Sequence, residues 1–199
     1  MALTIEYEAR RRRLKLLELS RLYWGYKTMM YFNSLEELTT HICSTLTNPE
    51  EWLIICIGTD LRSDDRAGLE VCRRLNSIGV GVRTLVCEYG IENCFHSIVT
   101  ANKDSIMIID SAIVPSTEPG TIVAINEDEI SDFTPLTTHT LPLTLALEIL
   151  RKKMRLSKIV ILGITVKNLD IGLEMSPEVE KAVRDLVSAL TTCLQNRLR

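Results

Sequence analysis

From residue 52 onward, apolar runs of strand length alternate with amphipathic stretches of helix length, and this alternation predicts the elements. "WLIICI" (52–57) is a continuous apolar run too short for a helix, as expected of a strand buried on both faces. "DRAGLEVCRRLNSIG" (65–79) sets Ala67, Leu69, Val71, Cys72 and Leu75 near helical spacing and stops at Gly79. "GVRTLVCEY" (81–89) reads as a strand, "IENCFHSIVTAN" (91–102) as a helix and "SIMIID" (105–110) as a third strand. After the turn residues "EPG" (118–120) comes a shorter strand, "TIVAI" (121–125). "LPLTLALEILRKKM" (141–154) is helical, "KIVILGI" (158–164) is another buried strand, and "SPEVEKAVRDLVSALTTCLQ" (176–195) is a last helix. In that helix Ser176 is the N-cap and Pro177 the first helical residue, with Val179, Val183, Leu186, Leu190 and Leu194 along one face. The succession predicts an α/β fold, a three-layer sandwich with a mostly parallel central sheet flanked by helices.

The first fifty residues differ in composition. Residues 1–30 hold seven basic residues against three glutamates, although the 199-residue chain carries a formal charge of -3. Leu14, Leu17, Leu22 and Trp24 lie close to helical spacing, which predicts an amphipathic helix. Its apolar face packs on the domain or on a second copy of the chain in a homodimer; a basic arm for a protein partner, or one lying on a membrane surface, fits the same pattern. In "SLEELTTHICSTL" (34–46), Ser34 and Glu37 have the spacing of a capping box, so a second helix follows. The organisation expected is an N-terminal helical extension over 1–50 and an α/β domain over 51–199. No overall basic field points to nucleic acid, and no apolar stretch reaches the roughly 18 residues of a membrane span. With no secretory signal pattern either, a cytoplasmic location is expected. The six cysteines form no C-x-x-C pair and several sit in apolar runs, so they are expected to be buried free thiols.

Ligands of open α/β sheets bind beyond the carboxyl ends of the strands. Asp64 and Asp65 follow the first strand, Asp110 ends the third, and His139 in "LTTHTLPL" immediately precedes a helix. Taken singly, Asp64 or Asp65 could cap the helix that begins there, Asp110 could cap a turn, and His139 could be structural. His41 and His96 sit within predicted helices and read as structural or surface residues. There is no G-x-S-x-G elbow, no H-E-x-x-H helix and no cysteine in a recognisable nucleophile context.

Together these segments match a pattern. "GTDLRSDDRAG" resembles the G-N-x-L-x-x-D-[DE]-G-x-G loop of the hydrogenase maturation endopeptidases. "EYGIENCF" is similar to that family's G-G-T-x-P-E-N segment, "IIDSAIVPSTEPGTIVAI" to its V-D-A…P-G stretch, and "TTHTLPLTLALEIL" to T-T-H-N-[ML]-P-L, in family order. The chain departs from the pattern at Thr59, Arg66 and Ile91, where the family has asparagine, glycine and proline. The resemblance implies a cytoplasmic endopeptidase that removes a C-terminal peptide from a nickel-iron hydrogenase large-subunit precursor after nickel insertion. It implies Asp65, Asp110 and His139 as the catalytic site and the ligands of that nickel, which arrives with the substrate; no organic cofactor is implied. Asp64 would then be a capping or supporting residue, and Glu92 and Asn93 would border the cleft. Hydrolysis could use metal-activated water or a carboxylate as general base. A second reading keeps the recognition and drops the cutting: an accessory protein or chaperone binding nickel-loaded large subunit. "CIGTD" also resembles the spore-protease relatives of similar fold.

Overall fold

The elements form where the apolar periodicity places them. The computed structural model describes residues 29–126 and 142–195. The strands are β1 (Met30–Tyr31), β2 (Trp52–Gly58), β3 (Arg83–Glu88), β4 (Ser105–Ala112), β5 (Ile122–Asn126) and β6 (Lys158–Thr165). The helices are α1 (Leu35–Thr45), α2 (Ala67–Ile78), α3 (Phe95–Ala101), α4 (Leu143–Lys153) and α5 (Pro177–Gln195). The sheet order is β1-β5-β6-β4-β2-β3. Strands β3, β2, β4 and β6 are mutually parallel, and β5 runs antiparallel to β6. Every residue of β2 is buried, as a central strand covered on both faces requires.

Two apolar layers sandwich the sheet. Helices α1, α2 and α5 cover one face through residues such as Ile42, Val71, Leu75, Val183 and Leu190. Helices α3 and α4 cover the other through Ile98, Ala101, Ala146, Leu147 and Leu150. The mostly parallel three-layer α/β architecture is thus the one the alternation implies. Residues 30–46 belong to the same body: Met30 pairs with Ala124, and Leu38 and Ile42 join the core under α5. At the start of α1 the Ser34 side chain accepts a hydrogen bond from Glu37 N, while Glu37 accepts from Asn33 N, one residue earlier than an ideal capping box. The basic amphipathic helix expected near residues 14–24 lies outside the described residues, and so does His139.

Two local expectations are corrected. The stretch 91–102 is not one helix: a 3-10 turn over Ile91–Cys94 precedes α3, buries Ile91 and puts Glu92 on the turn. The cysteines are not free thiols. Cys43–Cys193, Cys56–Cys72 and Cys87–Cys94 are disulfides, joining α1 to α5, β2 to α2 and β3 to the 3-10 turn. The pairing follows from packing that the sequence does not spell out: α1 against α5, α2 against β2, and the 3-10 turn folded back beside β3.

Candidate active site

From β2 the chain passes to β3 on one side and then returns to β4 on the other, so the carboxyl ends of β2 and β4 flank the topological switch point of the sheet. Two glycines of the opening motif shape it. A Cβ at Gly68 would lie 2.2 Å from Ile57 O and 2.7 Å from Ile109 O, so only glycine lets α2 start this deep between the two strand ends. At Gly58 the backbone has φ 150° and a Cβ would lie 2.0 Å from Asp65 O, so this glycine admits the returning loop against the strand.

That loop buries Asp65 beside the end of β4, and Asp110 is likewise buried. The two carboxylates meet around one residue. Ser111 Oγ donates to Asp65 Oδ1 at 2.5 Å, and Ser111 N donates to Asp110 Oδ1 at 2.8 Å. Of the three residues singled out from the sequence, Asp65 and Asp110 thus share Ser111 as a hydrogen-bond partner. Carboxylate oxygens suit divalent first-row metals. Among the described residues no three His, Cys, Asp or Glu side chains are grouped to hold a metal ion. The chain re-enters the described structure at Pro142, three residues after His139, and α4 then packs against the 3-10 turn that follows β3.

Asp64 has a different duty. It is fully buried, and its carboxylate accepts from Lys167 N and Asn168 N, both at 2.9 Å, from Ser176 N at 2.6 Å and from Ser176 Oγ at 2.9 Å. It therefore does not cap α2, whose N-cap position, Arg66, makes no side-chain capping bond. Asp64 ties the loop after β6, and the start of α5, to the loop after β2.

The motif's departures from the family pattern have local reasons. Thr59 Oγ1 accepts from Leu61 N at 3.3 Å, a turn bond of the kind an asparagine side chain also makes. Arg66 donates to Leu173 O at 2.5 Å and approaches Asp60 at 3.3 Å, so its cation is spent on the loops. Ile91 is buried in the core beneath α3 and α4. Asp60 is held by Arg73 through two bonds of 2.7 Å, and these hydrogen bonds above all lower its carboxyl pKa, against the opposing effect of burial and with help from the Arg73 and Arg66 charges. At the end of β3, Asn93 Nδ2 donates to Glu88 O, and Glu92 Oε2 is buried without a hydrogen-bond partner among the described residues. His96 is exposed on α3. His41 is partly buried with its ring 5.1 Å from Phe32, and burial above all, with the charge of Lys158, lowers its pKa. Sequence reasoning missed Ser111, whose one signal was a hydroxyl directly after Asp110 near the end of an otherwise apolar strand.

A three-layer α/β protein with buried acids at its switch point belongs to the broad class of open-sheet proteins whose ligands bind at the carboxyl edge of a parallel sheet. Comparison with known proteins narrows the class. Residues 90–193 match the family model HycI, hydrogenase maturation protease. A relative from Methanocaldococcus jannaschii that bears the name of a hydrogenase maturation protease is 30% identical over 159 residues, 75% of this chain and 92% of the relative. The crystal structure of the [NiFe] hydrogenase maturation protease HycI from Thermococcus kodakarensis aligns with TM-score 0.62 at 22% identity, over 73% of this chain and 92% of that one. The hydrogenase maturating endopeptidase HybD from E. coli aligns with TM-score 0.61 at 20% identity, over 73% and 93%. The chain belongs to the hydrogenase maturation protease family, and it is a processing endopeptidase.

Proposed function

We propose that this enzyme removes the C-terminal peptide of a nickel-iron hydrogenase large-subunit precursor after nickel insertion, and that Asp65, Asp110 and His139 recognise the nickel carried by that substrate. The observation that supports this most is the convergence of Asp65 and Asp110 on Ser111 at the switch point. Two carboxylates and a neutral imidazole are a donor set that nickel accepts, and three protein ligands leave positions for the substrate's own ligands. Ser111 fixes the orientation of both acids, so little reordering is needed when the cation arrives. Peptide hydrolysis also needs a base for the attacking water, and a carboxylate at this edge has the right chemistry.

The test is to incubate the full-length protein with nickel-loaded precursor and follow precursor mass. Wild type should shorten the precursor by its C-terminal peptide. Asp65→Ala and Asp110→Ala should each slow processing by at least about a hundredfold, the scale of one essential catalytic or orienting group, while keeping a cooperative melt. Unchanged processing by either variant would remove that residue from the site, and binding without shortening by wild type would favour the accessory role.

A further inference from the structure

The loops around the switch point expose apolar side chains that the hydrolytic site itself does not use. Ile171 is 89% exposed, Leu173 69% and Leu61 53%. Single exposed aliphatic residues are common and need no explanation; these three are contiguous. Arg62 and Gly172 form a parallel bridge, in which Gly172 N donates to Leu61 O at 3.0 Å and Ser63 N donates to Gly172 O at 2.9 Å. Leu61 therefore lies alongside the Ile171–Leu173 stretch, and the patch joins two loops.

The stretch is also held firmly. Ser63 Oγ donates to Asp170 O, Asp170 N donates to Asn168 Oδ1, Arg66 donates to Leu173 O, and Asp64 takes the N–H groups of Lys167 and Asn168. Backbone anchored this thoroughly cannot relax to hide its apolar side chains, so they stand in water in a fixed arrangement. Charges of both signs border them, Asp170 and Glu174 on one side and Arg62 and the Arg66 that donates to Leu173 O on the other, giving an apolar centre with a polar rim, the anatomy of a protein-binding face. The patch is continuous with the site, since Leu61 precedes Asp65 by four residues and the loop carrying Ile171 hangs on Asp64.

We propose that Leu61, Ile171 and Leu173 form the docking face for the folded body of the precursor, gripping an apolar patch of its surface while the scissile segment reaches Asp65 and Asp110. This rests on the functional reading above.

The experiment compares full-length wild type, Ile171→Asp/Leu173→Asp and Leu61→Ser with Ile78→Asp, whose residue is 47% exposed at the far end of α2, on the opposite edge of the sheet. Melting curves check folding, which these exposed positions should preserve. For nickel-loaded precursor, the double variant should raise KM by about tenfold or more with kcat within about twofold, and Leu61→Ser should act in the same direction, as loss of apolar anchors does. Ile78→Asp should change neither. An unaltered KM in the double variant, or an equal shift in Ile78→Asp, overturns the inference. So does a wild-type dimer that the double variant dissolves without change in KM, which would give the face to a second copy. If wild type binds precursor but does not cut it, the functional reading fails while weaker binding by the double variant still upholds the docking face; if wild type does not bind precursor, both fall.

Discussion

Asp60, Asp64 and Asp65 share one short loop and do three kinds of work. Asp60 is an ion-pair partner near the surface, Asp64 is a buried anchor, and Asp65 faces Ser111 beside Asp110. Replacing Asp64 with alanine strands the N–H groups of Lys167, Asn168 and Ser176, so Asp64→Ala should lower the unfolding free energy by about 3–5 kcal/mol. Asp65→Ala loses the Ser111 bond and should cost less than half of that; urea titration distinguishes the two. Asp60 gives a pH signature. Because Arg73 lowers its carboxyl pKa in the native state, its stabilisation is complete above the unfolded-state value and is lost as pH falls through the lowered native value. Asp60→Asn should therefore melt below the parent at neutral pH, by under about 1 kcal/mol for a pair this exposed, with the gap closing as pH drops below the ordinary carboxyl value of 3.8.

At the scale of elements, helix direction and glycine placement decide where the chemistry sits. Helix α2 enters the crevice between β2 and β4 because Gly68 lets it, and that entry leaves Asp65 at the strand ends. Helices α1 and α5 pack on each other and are joined by Cys43–Cys193. A cross-link closing so long a loop restricts the unfolded chain, so Cys43→Ser/Cys193→Ser should lose about 2–5 kcal/mol of stability. Thiol titration in denaturant should find no free thiol in the parent before reduction and six after it.

For the molecule as a whole, one sheet serves two apolar layers, and the parallel strands end together at a single edge. Loops after β2, β4 and β6 gather there, so recognition and hydrolysis are expected at one place, and the precursor assays above test them together. Among the described residues no helix is long and apolar enough to cross a membrane. The alternation of strand and helix was legible in the chain because each buried element needs an apolar face of its own period. The two-residue β1 was not, since two residues carry no period.

The α/β class, the boundaries of most elements to within a few residues and the candidacy of Asp65 and Asp110 are all readable from the linear chain, because local periodicity and strand-end position are properties of neighbouring residues. The packed fold alone settles the division of labour between Asp64 and Asp65, the bonding of both candidate acids to Ser111, the use of Arg66 as a loop clamp and the pairing of the cysteines. Most of those depend on contacts between distant positions, 46 apart for Asp65 and Ser111, 107 for Arg66 and Leu173 and 150 for Cys43 and Cys193, and no local pattern records which distant groups will meet once the sheet order is set.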